Sequence, residues 1–467
     1  MSRVALVNPS LVLEPDPYGQ TVDPKMPMGL LYLASALENQ GHTVELIDAA
    51  FGGLQASGIL DMLCAFRPDV VGISSVSAVQ RRSVELATLV KKFLKPAPLV
   101  VLGGVHATLQ PESFLRHRSV DFVTVGEGDV ALPKLCSDPN TPSEIHGVCF
   151  KTGTDTFTIP DGAPRVRDLD ALPFPAYHLL DLKSYFKRNK KLCLLASRGC
   201  VHACTYCCSP QVWGREIVFR TPDSIAREID YYRSVYPAVQ KFHFLDDNLP
   251  LWGDGLFELC NLLEPMNIKW RCIGSIDQIS EPMARRMLMS GCYAISFGIE
   301  TGSQDIQRMC GKNLDLDTIA ERVRAISSLG IRTKAFFMFG FPSETRDQMA
   351  ETMRLAVALK QHGLSDVAFL PLVPYPGTAI HADHCCKGIP GFGESDQVVD
   401  WLDPGNPGAS ALAKYRTYPL VSANEFFTGV QLRAIATYAY RVFWEETVPI
   451  EARRSMQTYT AELQRVG

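Results

Sequence analysis

Cys200, Cys204 and Cys207 stand in the run Leu194-Leu195-Ala196-Ser197-Arg198-Gly199-Cys200-Val201-His202-Ala203-Cys204-Thr205-Tyr206-Cys207-Cys208-Ser209-Pro210, where an apolar strand delivers three thiols at C-x3-C-x2-C spacing. One short loop of this kind can wrap an iron–sulfur cube and ligate three of its corners, which leaves the fourth iron open. A zinc loop is the alternative reading. Zinc takes a fourth ligand and usually pairs two knuckles, and no second knuckle follows downstream. Cys208 adjoins the third thiol, but neighbours along an extended loop point apart, so it reads as packing or support.

Other polar groups recur where apolar runs end. Asp246-Asp247-Asn248 follows Lys241 to Leu245, Ser275 follows Lys269 to Gly274, Glu300 lies in Gly298-Ile299-Glu300-Thr301-Gly302, and Gly340-Phe341-Pro342 follows Thr333 to Phe339. Taken singly, Asp247 also reads as a helix N-cap and Glu300 as a surface ion pair. Their recurrence at successive strand ends favours a site. Nearer the N-terminus the corresponding ends carry Ser74-Ser75-Val76, Gly103-Gly104-Val105-His106 and Gly126-Glu127-Gly128, small residues that let a large ligand approach the backbone. Asn8-Pro9-Ser10, after the first strand, lacks the G-x-G-x-x-G of a dinucleotide loop. A lone histidine such as His106 is more often hydrogen-bonded than a ligand.

The elements that must position these groups alternate. Val4 to Val7, Val44 to Ile47, Val70 to Ile73, Leu99 to Leu102 and Phe122 to Val125 read as buried strands, with helices from Gly29, over Gly58 to Phe66 and over Arg82 to Leu94. The pattern predicts a doubly wound parallel sheet. A β-hairpin is expected within Ser143 to Ile159, then a proline-rich linker from Leu169 to Pro175. From Leu192 onward, six strand-and-helix repeats predict a partial (β/α)6 barrel with its working groups at the carboxyl rim. Gly388 to Gly408 reads as loop and Ala423 to Val448 as helical, a tail expected to cover the barrel mouth. The expected division is 1–142, 143–189, 190–380 and 381–467.

The chain has 467 residues, room for about three domains. Its 46 basic and 50 acidic residues give a net charge of -4, which offers no general attraction to nucleic acid or anionic lipid. Fourteen cysteines without a signal-peptide pattern suit a reducing cytoplasm, and no apolar run approaches the roughly 20 residues that span a bilayer.

The cysteine spacing, with Tyr206 before the third thiol, resembles the radical S-adenosylmethionine (SAM) enzymes. The N-terminal half resembles the cobalamin-binding domain that precedes the radical domain in cobalamin-dependent members, through Pro27-Met28-Gly29-Leu30-Leu31-Tyr32-Leu33-Ala34, Gly103-Gly104-Val105-His106-Ala107-Thr108 and Val125-Gly126-Glu127-Gly128-Asp129. The resemblance implies a [4Fe-4S] cluster on Cys200, Cys204 and Cys207. It implies SAM contacts from Tyr206, Asp246, Asp247, Ser275, Glu300 and Gly340, with an aspartate receiving the cofactor's ammonium, Glu300 the ribose hydroxyls and Gly340 passing close to adenine. Cobalamin is implied at Ser74, Ser75, Val76, Gly103, Gly104, His106, Gly126, Glu127 and Gly128. The D-x-H-x-x-G motif that gives cobalt a histidine is missing, and His106 is the substitute to weigh.

The implied reaction is methylation of an unactivated carbon of a small molecule through methylcobalamin and a 5'-deoxyadenosyl radical, with a flavodoxin or ferredoxin as electron donor. Ring contraction, cyclisation or oxidation with the same cofactors is the rival. Methylthiolation of transfer RNA or protein is a further one, but it calls for a second cysteine set, and Cys64, Cys136 and Cys149 lie in a helix, near a helix end and in the hairpin. Cys385 and Cys386 are too few for that second cluster. A cobalamin carrier without enzymatic activity would leave the cysteine loop unexplained.

Overall fold

The computed structural model describes residues 1–9, 26–162, 164–188, 191–385 and 423–444. The expectations for Gly388 to Gly408, for Cys386 and for the tail beyond Trp444 lie outside these residues.

Strands β1 (Arg3–Asn8), β2 (Thr43–Asp48), β3 (Val70–Ser74), β4 (Leu99–Gly103) and β5 (Phe122–Thr124) form the expected parallel array. Val4 to Val7 are fully buried, and alternate residues enter different cores: Val4 and Leu6 join one, Ala5 and Val7 the other. Helices cover both faces, so the strands read as unbroken apolar runs and not as alternating ones. The helix Met28–Asn39 ends just before Gly41, whose φ of +83° makes the left-handed exit. The hairpin, β6 (Val148–Lys151) and β7 (Phe157–Thr158), is not separate. It pairs antiparallel on β5 and extends the sheet to seven strands in the order β2-β1-β3-β4-β5-β6-β7, satisfying an edge that three-residue β5 would otherwise expose.

The second sheet is fully parallel, β15-β14-β13-β12-β11-β8, built from β8 (Lys191–Leu194), β11 (Lys241–Phe244), β12 (Lys269–Gly274), β13 (Cys292–Glu300), β14 (Arg332–Phe339) and β15 (Asp366–Pro371). Strands β9 (Ser197–Arg198) and β10 (Val218–Phe219) make a small antiparallel ribbon beside it. Phe242, Phe244, Trp270, Cys272, Ile295, Phe297, Phe337 and Phe339 face the surrounding helices in one core. By the period of two, His243, Arg271, Ser296, Lys334 and Phe336 face the concave side. Thr221 caps the helix Pro222–Val235, with proline at its first position.

The helix Gly429–Trp444 places Leu432, Ala436, Ala439 and Phe443 in that core, beside β15 and the helix Arg346–Gln361, and Lys360 Nζ donates to the Phe443 carbonyl at 2.8 Å. This part of the tail seals the apolar outer side of β15, and just ahead of it Asn424 Nδ2 donates to Phe341 O at 2.6 Å and Glu425 N to Pro342 O at 3.0 Å, at the rim turn after β14. The two halves share a core: Ala176 N donates to Leu31 O at 3.1 Å, and fully buried Tyr177 bonds the Cys193 carbonyl. Among the described residues no helix is long and apolar enough to cross a membrane.

Candidate active site

The segment before the first thiol is held on every side. Asp246, 1% exposed, accepts from Ala196 N at 3.1 Å and Ser197 Oγ at 2.6 Å, and burial pushes its carboxyl up to about 6. Arg220 donates from its backbone to Ala196 O at 2.8 Å and from Nη1 to Leu195 O at 3.1 Å, while its guanidinium pairs with fully buried Glu228. Arg198 reaches across to the N-terminal half: Nη1 donates to Glu127 Oε2 at 2.6 Å and to Asp129 Oδ2 at 2.8 Å, over the Tyr32 ring. Arg165 pairs with Glu127 at 2.8 Å and donates to the Arg198 carbonyl at 3.0 Å. The turn into the loop needs glycine, since Gly199 has φ +112° and a Cβ there would lie 2.2 Å from Glu216 O.

The loop itself is pinned at Thr205, whose N–H donates to Cys310 O at 2.9 Å and whose carbonyl accepts from Ile380 N at 3.1 Å. Ser209 N donates to Cys207 Sγ at 3.4 Å, the kind of bond that supports a ligating sulfur. Burial pushes all three thiols up, Cys207 to about 12, so ligation must displace their protons. Cys204 lies within the electrostatic reach of both Cys200 and Cys207. No three His, Cys, Asp or Glu side chains among the described residues close on a single metal ion. Three thiols on one short loop, one of them supported by a backbone N–H, are the donor set an iron–sulfur cube takes on three of its corners.

The two adjacent aspartates separate by role. Asp246 is spent on Ala196 and Ser197, whereas Asp247 bonds the Ser209 hydroxyl and faces Cys200, Cys207 and Cys208. Burial pushes Asp247 up, against the Ser209 bond. Glu300 occupies the left-handed region at φ +74°, where the register of β13 with β14 shifts after Gly298, a strained setting for a non-glycine residue. Burial raises its carboxyl, while Lys312 and a hydrogen bond from Tyr206 oppose the rise. A Cβ at Gly298 would meet Glu300 Oε1 at 2.1 Å and Lys312 Nζ at 3.4 Å. Ser275 bonds Asp277 through its hydroxyl and donates from N to Asn248 Oδ1 at 3.0 Å; Asn248 Nδ2 lies 3.4 Å from His202 Nε2. Gly340, φ +99°, donates to Glu344 Oε2 at 2.6 Å, and Leu432 Cδ1 would stand 2.3 Å from a Cβ there. Gly340 is thus backed by the Gly429–Trp444 helix. Cys200, Cys204, Cys207, Tyr206, Asp247 and Glu300 come together, with Ser275 at the margin.

Lys312 was missed by sequence reasoning. It acts on Cys200, Cys204, Glu300, His202 and Asp277 at once. Its signal is faint: Gly311 and Asn313 flank it, both left-handed, at φ +69° and +56°, and so present it on a tight turn.

On the N-terminal edge the structure divides the candidates. Ser74, Val76, Gly104 and Gly126 lie at the ends of adjacent β3, β4 and β5, with Val76 41% exposed, small and apolar residues that suit a flat macrocycle. The other candidates make contacts within the protein. Ser75 is fully buried, accepts from Ser83 and bonds Gly103 O and His106 N through its backbone. A Cβ would meet Thr124 Oγ1 at 2.7 Å from Gly103, Ser75 O at 2.9 Å from Gly104 and Leu33 Cδ2 at 3.1 Å from Gly128, so all three positions are closely packed. The His106 ring, 3% exposed, bonds Ser77 Oγ at 2.9 Å through Nδ1 and packs edge-on to Phe114, and burial pushes it down to about 4. Glu127 is consumed by Arg198 and Arg165. His106 keeps Nε2 buried without a hydrogen-bond partner among the described residues, and the Glu127 carboxylate neutralises two guanidiniums.

Residues 23–136 match the B12 binding domain model and residues 194–356 the radical SAM superfamily model. An uncharacterized methyltransferase, PH0819, of Pyrococcus horikoshii is 27% identical over 76% of this chain and 77% of its own length. The cytidylyl-2-hydroxyethylphosphonate methyltransferase of Streptomyces wedmorensis is 25% identical over 81% and 80%. In fold, the chain is similar to the radical SAM methyltransferase TsrM of Kitasatospora setae, with a TM-score of 0.67 at 20% identity over 83% of this chain and 77% of that one. It is also similar to the cobalamin-dependent SAM radical enzyme OxsB, with a TM-score of 0.66 at 20% identity over 76% of this chain, though the chain spans only about half of OxsB (52%).

Proposed function

This chain belongs to the cobalamin-binding radical SAM enzymes, and from that premise we propose that it methylates an unactivated carbon of a small-molecule substrate. One observation carries the reading. Arg198, two residues before the first thiol, is locked to Glu127 and Asp129 at the carboxyl edge of the N-terminal sheet, so both strand-end sites are fixed relative to one another. A reactive carbon radical must meet its partner before solvent or protein, which requires that arrangement.

Cys200, Cys204 and Cys207 hold the [4Fe-4S] cluster. Asp247 receives the ammonium of SAM, Lys312 complements its carboxylate, and Glu300, positioned by Tyr206, accepts from ribose hydroxyls. Asp246 positions the loop without touching the cofactor. Ser74, Val76, Gly104 and Gly126 form the floor for cobalamin, with no protein ligand to cobalt. When bound, the cluster supplies the electron that cleaves SAM, and cobalamin supplies the methyl carrier. The electron comes from a flavodoxin- or ferredoxin-class donor, nucleic acid takes no part, and the reducing cytoplasm is the setting. The working division of the chain remains 1–142, 143–189, 190–380 and 381–467.

The test is anaerobic purification with cobalamin, iron and sulfide supplied, followed by an absorption spectrum and metal counts. Four irons and one cobalt per chain support the reading. Absence of either chromophore counts against it. With a substrate in hand, products without an added methyl group would favour oxidation or ring chemistry.

A further inference from the structure

The concave face of the barrel carries a concentration of positive charge that the fold does not require. Arg271 on β12 and Arg332 on β14 are both in register with Ala294 of β13, which stands between them. One layer higher, Ser296 is in register with Lys334, and Lys334 with Asp366. The Lys241 ammonium lies 5.7 Å from the Tyr293 ring centre, and Arg271 and Arg332 both act on the Tyr293 hydroxyl. Asp366 pairs with Lys334 at 2.7 Å, but Lys241, Arg271 and Arg332 have no carboxylate partner among the described residues.

Like charges gathered on neighbouring strands cost stability. In a chain with more acidic than basic residues, this local reversal calls for a reason. Arg271 sharpens it: Nη2 donates to Ser296 Oγ at 3.2 Å, whereas Nε is buried without an acceptor among the described residues. A buried guanidinium N–H without a partner is a donor waiting for an oxygen. Ala294, with no side chain beyond Cβ, stands between the two arginines in the strand register, and planar guanidinium forks suit an oxyanion.

We propose that this face binds an oxyanion carried by the substrate, a phosphate, phosphonate or carboxylate held between Arg271 and Arg332 over Ala294. Ala294 lies six residues below Glu300 on β13, about 20 Å at the rise of a strand. The substrate is therefore elongated, with its anionic end in the barrel and its reacting carbon at the rim. The position of that carbon rests on the methyltransferase reading; binding of the anion does not.

The cofactor-loaded full chain is titrated calorimetrically with inorganic pyrophosphate and, in a parallel arm, with succinate. Saturable low-millimolar binding of at least one, weakened about tenfold or more in both Arg271→Gln and Arg332→Gln, supports the site, and the arm that binds identifies the oxyanion class. Arg285→Gln, on an exposed helix ion pair, is the control and should bind as the parent does. Iron content and thermal midpoint confirm that each variant is folded. No binding in either arm, or binding unchanged in the two variants, overturns the proposal. Because the titration needs no turnover, its failure is distinguishable from failure of the methyltransferase reading.

Discussion

The carboxyl edges of the two parallel sheets look alike as sequence and behave differently as structure. At the barrel edge the polar groups converge, with Asp247, Glu300, Tyr206 and Lys312 turned toward the thiols. At the N-terminal edge most polar groups turn away: Ser75 bonds Ser83, His106 bonds Ser77, and Glu127 leaves its own sheet to pair with Arg198. What stays open there is small or apolar. The difference follows from what each edge must hold. A zwitterionic cofactor and a charged cluster call for ions and donors, whereas a large flat ligand calls for room, and an unpaired ion left beside it would be costly.

The largest expected effect breaks the link between the edges. Arg198→Gln strands Glu127 and Asp129 in a buried setting and should cost about 3–5 kcal/mol of stability. Glu127→Gln should cost less, because Asp129 still faces Arg198, and the double variant should recover part of the loss. Chemical denaturation in a double-mutant cycle measures this, and additive losses would show that the contact carries no coupling.

Next comes the barrel edge. Glu300→Gln keeps the volume and removes the charge, and should raise KM for SAM about tenfold or more, with cluster content unchanged. An unchanged KM would remove Glu300 from the site. At the open floor of the other edge, Ser74→Trp should weaken cobalamin binding by about tenfold without altering iron content. Equal loss of both metals would mean that the two floors are not separable.

The smallest effect concerns pH. Burial pushes the folded His106 down to about 4, well below its ordinary value of 6.5, so between those values the unfolded chain binds the extra proton. Its contribution is complete above 6.5 and declines as pH falls toward 4. His106→Asn should therefore flatten the slope of thermal midpoint against pH in that window, and an unchanged slope would show that the ring is not held neutral by burial.

The alternation of strands and helices, the cysteine loop and the rim segments were legible in the sequence because each rests on local pattern: apolar runs, glycine turns, fixed spacing. What was not legible depends on where side chains turn. Asp246 and Asp247 are adjacent and chemically identical, and only the packing of Ala196 and Ser197 decides between them. Glu127 sits in a glycine-flanked turn that resembles a ligand floor, yet its partner Arg198 is 71 residues away. Lys312 was hidden because a single lysine on a turn is unremarkable until the turn is placed beside Cys204 and Glu300. The hairpin was read correctly as a hairpin, but its pairing on β5 is a long-range choice that periodicity does not record.

The account turns on one thiol loop doing radical chemistry beside an independent cobalamin floor, and Cys204→Ala tests both halves at once. Deoxyadenosine formed from SAM under reducing conditions and cobalt bound per chain are measured on the same anaerobic preparation. Deoxyadenosine at background with cobalt at the parental level is the predicted result. Continued deoxyadenosine formation, or loss of cobalt together with the cluster, would contradict it.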